Sequence, residues 1–101
     1  MATHFFTIEQ IKYANRERGQ YFFSRGALRF FRSRIGSKVH RGPGGIFFVT
    51  SEQFDDHSPR LYTVRRFNPD SGAVDTVGNF QEHATGYLAH AEAARLAALT
   101  Q

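Results

Sequence analysis

The stretch Leu61-Tyr62-Thr63-Val64-Arg65-Arg66-Phe67, followed by Asn68-Pro69-Asp70-Ser71-Gly72 and then Ala73-Val74-Asp75-Thr76-Val77, decides the fold. Both arms are rich in β-branched and aromatic residues. The segment between them carries a proline that presets one turn angle and a glycine that permits positive φ, so the whole reads as a β-hairpin. Tyr62 and Val64 alternate with Thr63 and Arg65 in the first arm, and Val74 and Thr76 with Asp75 and Val77 in the second. That alternation predicts one sheet face more buried than the other. Upstream, Ile46-Phe47-Phe48-Val49-Thr50 is a further run of β-formers and reads as a central strand, ending where Ser51-Glu52-Gln53 turns polar. The Gly42-Pro43-Gly44-Gly45 segment before it reads as a mobile connection.

Helices flank these strands. Thr7-Ile8-Glu9-Gln10 matches a capping box, which starts a helix at Ile8, and Gly19 offers a left-handed stop about three turns later. Ile8, Ile11 and Ala14 share its inward face. Near the other end, Thr85 is the expected N-cap of a helix running to Leu99, with Tyr87, Ala91, Ala94 and Ala98 on the packing side. Residues 20–41 fit a helical stripe through Leu28, Phe31 and Ile35, yet also an alternating strand. The expectation is a short helical turn after Ser24 and then an irregular or extended run. A chain of 101 residues, 41 % hydrophobic, suits one domain spanning residues 1–101. The expected class is α+β, an antiparallel sheet of three to four strands packed by an N-terminal and a C-terminal helix.

Charge is polarised along this chain. Nine of the thirteen Lys and Arg residues lie between Lys12 and Arg41 with a single acid, Glu17, which gives that stretch +8, whereas residues 42–101 hold four bases and seven acids. Tyr21, Phe22, Phe23, Phe30 and Phe31 are threaded through it, so cationic groups stand beside flat rings able to stack. The ordinary alternative is a solvated face, with Arg stems lying over apolar surface and their heads in water. The concentration of charge favours an acidic partner instead. The binding residues expected are Lys12, Arg16, Arg25, Arg29, Phe30, Arg32, Arg34, Lys38 and Arg41.

Catalytic and metal chemistry finds no footing in the residue spacing. The absence of Cys excludes disulfides, thiolate metal sites and thiol nucleophiles. The five His residues form no HxxxH or HExxH, and His83 and His90, on a helix, would sit ~10 Å apart. Asp55-Asp56-His57 lies in a Pro-flanked polar loop and reads as a solvated turn. The Lys-Ser/Thr of a phosphate-binding P-loop is missing after Gly45, and Ser24, Ser33 and Ser37 lack a nucleophile elbow. The expectation is therefore a protein that is not an enzyme and uses no cofactor or metal. Met1 to Phe6 lacks a signal-peptide pattern and no run approaches ~18 apolar residues, so a soluble, cytoplasmic protein is expected.

The sequences Tyr21-Phe22-Phe23, Arg29-Phe30-Phe31-Arg32-Ser33-Arg34-Ile35, Gly45-Ile46-Phe47-Phe48-Val49-Thr50-Ser51-Glu52-Gln53-Phe54, Tyr62-Thr63-Val64-Arg65-Arg66-Phe67 and Thr76-Val77-Gly78-Asn79-Phe80 resemble a group of small uncharacterised proteins of phages and mobile elements. The resemblance implies a setting in which self-contained, non-enzymatic proteins inhibit host defence, anti-CRISPR proteins among them. The order helix, three strands, helix is also similar to that of the double-stranded-RNA-binding domain. The second helix, however, opens as Thr85-Gly86-Tyr87-Leu88 without that family's Lys cluster. The first expectation is thus an inhibitor of a host nucleoprotein defence complex, acting in the host cytoplasm through a basic, aromatic face. The alternative is a direct DNA- or RNA-binding module.

Overall fold

The computed structural model describes residues 6–30 and 32–99, and of Phe30 the backbone alone, so Phe31 and the Phe30 side chain lie outside the described residues. In chain order the elements are α1 (Ile8–Glu17), α2 (Arg25–Phe30), β1 (Arg34–Ile35), β2 (His40–Gly42), β3 (Gly45–Gln53), β4 (Arg60–Phe67), β5 (Val74–Val77) and α3 (Gly86–Ala98). They form one α+β domain with an antiparallel sheet. The order across it is β1, β3, β4, β5, and β2 lies in line with β1 along the same edge of β3. The extended run expected after α2 is this interrupted edge strand. It carries Arg34, Lys38 and Arg41, and charge on an unpaired edge discourages pairing with a second sheet.

The local signals act as read. Thr7 Oγ1 accepts from the Gln10 N–H at 3.2 Å while the Gln10 side chain returns to the Thr7 N–H, which completes the capping box. Thr85 Oγ1 accepts from the Leu88 N–H at 3.2 Å and opens α3. In the β4–β5 turn Asn68 Oδ1 accepts from the N–H groups of Asp70 and Ser71, and Gly72 takes φ +78°. The buried Asn15 donates to the Gly72 carbonyl at 2.7 Å and accepts from the Phe22 N–H at 3.2 Å, which ties α1 to the hairpin and to the segment before α2.

Four expectations need correction. Both sheet faces are buried. One packs Phe47, Val49 and Val64 on α3, and the other packs Phe48 and Phe67 on Ile8 and Ile11 of α1, with Phe22 and Phe23 beside them. The side of α3 that packs is Ala89, Ala93 and Ala97, whereas Tyr87 is 81 % exposed and Ala91, Ala94 and Ala98 face outward. Alanines occupy both stripes, so periodicity does not choose between them. Close approach by the β2–β3 hairpin accompanies the stripe that packs. That hairpin is the segment expected to be mobile, and it is pinned. The Gly44 N–H donates to the Ala97 carbonyl at 2.9 Å, and a methyl group at Gly44 would sit 2.0 Å from the Leu96 carbonyl oxygen.

The fourth correction concerns the length of β3, which runs on to Gln53 through residues that read as its polar boundary. Glu52 is 1 % exposed and meets Arg65, its guanidinium 3.0 Å from the carboxylate. Thr50 and Thr63 donate to the same carboxylate at 2.6 and 2.8 Å. Arg65 spends its other donors on Thr50 at 3.0 Å and Thr76 at 2.6 Å. Every member shares the sheet face of Phe48 and Phe67, because cross-strand partners point the same way: Phe48 lies opposite Arg65, Thr50 opposite Thr63 and Arg65 opposite Thr76. A charge survives burial when it is paired and its hydrogen bonds are made, and here they are.

Candidate functional site

The end of α2 sets the geometry of the basic stretch. Ser24 Oγ accepts from the Ala27 N–H at 3.2 Å at the start of this short helix. At its end the Arg32 N–H donates to the Arg29 carbonyl at 3.0 Å and the Ser33 N–H to the Leu28 carbonyl at 2.7 Å, the paired bonds of a Schellman motif. Arg32 stands at the left-handed position of that motif with φ +52°, where glycine is usual. The chain then enters β1 at Arg34. Helix, turn and strand thus deliver Arg29, Arg32 and Arg34 into one open cleft of about 470 Å³, and Arg60, the first residue of β4, reaches it from the neighbouring strand. Leu28, Ser33 and Gln53 complete the lining.

These four guanidinium groups are not equivalent. Arg60 donates to the Ser51 carbonyl and hydroxyl, each at 2.9 Å, and to the Arg32 carbonyl at 3.0 Å, so it holds the turn in place. Burial, and after it the nearby charge of Arg34, pushes Arg60 below its ordinary value. Arg32 pairs with Asp56, whose side chain is 82 % exposed. Such a pair adds little stability, and an anion entering the cleft competes with it readily. Arg29 and Arg34 are exposed and make no ion pair or side-chain hydrogen bond among the described residues. The cleft therefore holds an excess of positive charge with planar donors suited to phosphate or carboxylate oxygens.

The remaining expected residues lie elsewhere. Lys12 and Arg16 line a second cleft of about 280 Å³ with Tyr21 and Phe23. There Lys12 lies 3.9 Å from Glu9, and Arg16 sits over the Tyr13 ring at 5.7 Å. Arg25 is exposed on the first turn of α2, and Arg41 on β2 covers the Phe6 ring at 4.0 Å. Lys38 is exposed between β1 and β2, beside a histidine pair that sequence reading did not connect. His40 Nε2 and His90 Nδ1 lie 2.9 Å apart across fifty residues of chain, and burial, with Lys38 adding to it, holds both below the ordinary histidine value. Among the described residues no group of three His, Cys, Asp or Glu is placed to hold a metal. Asp55 Oδ1 accepts from the His57 N–H at 2.9 Å and the Ser58 hydroxyl at 2.8 Å, a closed polar turn.

Arg60 is the cleft residue that sequence reasoning missed. It lies in the acidic half of the chain, after Pro59. The β3–β4 register would have revealed it, since Arg60 is the cross-strand partner of Gln53, but that requires β3 to extend beyond Thr50.

An α+β domain with an arginine-lined cleft among the described residues is the class that this geometry defines. The chain belongs to the family described as "Family of unknown function (DUF7447)", whose profile matches residues 7–95. No curated protein and no solved structure matches it. None of the described helices is long and apolar enough to cross a membrane.

Proposed function

We propose that the protein is a non-enzymatic binding protein whose working surface is the cleft of Arg29, Arg32, Arg34 and Arg60, and that it engages the phosphates of a nucleic acid. The observation that carries this reading is the convergence of four arginines, two of them without any partner among the described residues, on one open cleft. Solubility does not require four cations to be gathered at one cleft. A run of phosphates, each matched by a guanidinium fork, compensates them. An acidic protein surface offers the same charge with less regular spacing. The inhibitory role in a mobile-element setting rests on the resemblance alone, and would use the same cleft on the nucleic-acid path of a host defence complex in the cytoplasm.

The test is fluorescence anisotropy with labelled oligonucleotides at about 50 mM salt, where phosphate contacts are strongest. The wild-type protein is expected to bind. Arg29→Glu combined with Arg34→Glu should weaken binding roughly a hundredfold, two charge-assisted contacts being lost, with the thermal melt unchanged. Full-strength binding by the double variant would overturn the assignment. Failure of the wild-type protein to bind naked nucleic acid, with capture by a nucleoprotein complex, would return the inhibitor reading in its place.

A further inference from the structure

A third cleft adjoins the arginine cleft and differs from it in chemistry. It measures about 280 Å³ and is walled by Phe22, Ala27, Leu28 and Phe80, with Ser33 and Arg65 supplying its polar edge. Leu28 and Ser33 line both clefts, so the two open on either side of one short wall. The Arg65 guanidinium lies 5.1 Å from the Phe22 ring centre and 5.5 Å from that of Phe80. Its charge is met by Glu52 at 3.0 Å, so this cleft has no excess charge to offer a phosphate. It offers instead aromatic walls and a flat guanidinium. The Ser33 hydroxyl, at the junction, makes no hydrogen bond among the described residues.

We infer that the paired clefts take a single-stranded nucleic acid, phosphate among Arg29, Arg32 and Arg34 and an unstacked base in the cleft that Phe22, Phe80 and Arg65 wall. The inference rests on the proposed function and narrows it. A base and its own phosphate are one nucleotide apart, and two clefts sharing one wall suit that spacing. In a duplex the bases are stacked and paired, and their faces cannot enter an aromatic slot without being flipped out, whereas a single strand presents every base face at once. Stacking on an aromatic ring is tolerant of sequence, so the expected ligand class is a single strand of DNA or RNA with little base preference. Ser33 is positioned to donate to a base edge or to a bridging phosphate oxygen.

The experiment compares labelled single strands of about 12 nucleotides, DNA and RNA, with a duplex of equal length, by anisotropy at one salt concentration. The expected result is binding of the single strands roughly tenfold tighter than the duplex, with quenching of a 2-aminopurine base placed in the strand. Phe80→Ala should abolish that preference and leave duplex binding unchanged, Phe80→Tyr should retain it, and Arg34→Ala should weaken both ligands alike. The wild-type comparison and the quenching need no variant, so they stand even if Phe80→Ala fails to fold. Equal or tighter duplex binding overturns the inference while leaving the phosphate cleft intact. A single-strand preference that survives in a folded Phe80→Ala overturns the placement of the base, and absence of binding to any of the probes overturns both readings together.

Discussion

Arg65 and Arg34 carry the same side chain in opposite situations. Arg65 is buried on the sheet face beneath Phe22, and its donors reach Glu52, Thr50 and Thr76. Arg34 is exposed on an edge strand and has no ion pair or side-chain hydrogen bond among the described residues. The first charge is satisfied internally and serves the fold. The second is left unsatisfied by the fold and is open to a ligand. Arg32 stands between them, held by an exposed acid and by a backbone conformation that suits glycine better. Chemistry of partners, not residue type, separates the arginines that serve the fold from those proposed to bind.

The largest effect is expected from breaking the satisfied side. Glu52→Gln keeps the shape but leaves Arg65 buried and unpaired, which should destabilise the domain by about 3–5 kcal/mol. Combining it with Arg65→Met should recover much of that loss, because a Gln–Met pair of similar volume has no charge to desolvate. Chemical denaturation of the wild type and the two variants checks both statements. A Glu52→Gln midpoint equal to that of the wild type would erase the distinction between the two regions.

A smaller effect, of opposite sign, is expected at Arg32. Arg32→Gly relieves the left-handed backbone strain and should raise stability by roughly 0.5–1 kcal/mol, the exposed pair with Asp56 offsetting only part of the gain. Oligonucleotide binding should weaken at the same time. Opposed changes in melting temperature and affinity would mark Arg32 as a site where stability has been given up for binding. Loss of both would make it structural like Arg65.

The smallest effect concerns the His40–His90 pair, a partly buried pair beside Lys38. Both pKa values are lowered in the folded protein, chiefly by burial, so below the ordinary histidine range the unfolded chain binds protons that the folded one resists. Stability from this pair is therefore full above about pH 7 and falls as pH drops through the unfolded value near 6.5. Thermal melts between about pH 8 and pH 5 should show that decline, and His90→Asn should flatten it.

Most elements that depend on local chemistry were legible in the sequence. Thr7 and Thr85 cap helices, Asn68 to Gly72 turns a hairpin, and Ser24 opens a short helix, because each signal is complete within a few residues. What was not legible depends on partners distant in the chain. Nothing near Glu52 announces Arg65, so a polar triplet read as the end of a strand that in fact continues. Ala91 and Ala93 look alike until Gly44 is known to lie against the end of α3. The basic stretch was visible as charge, but its division was not: it took the αL turn at Arg32 and the register of Arg60 to separate three of the nine cations from the rest.

The most direct test of the proposed phosphate-binding cleft is the salt dependence of binding. The logarithm of the association constant for a single-stranded oligonucleotide should fall linearly with the logarithm of salt concentration. Arg29→Ala with Arg34→Ala should make that slope shallower by about 1.4, the loss of two phosphate contacts on a single strand. An unchanged slope in a folded double variant would show that neither arginine meets a phosphate, and would contradict the assignment of the cleft.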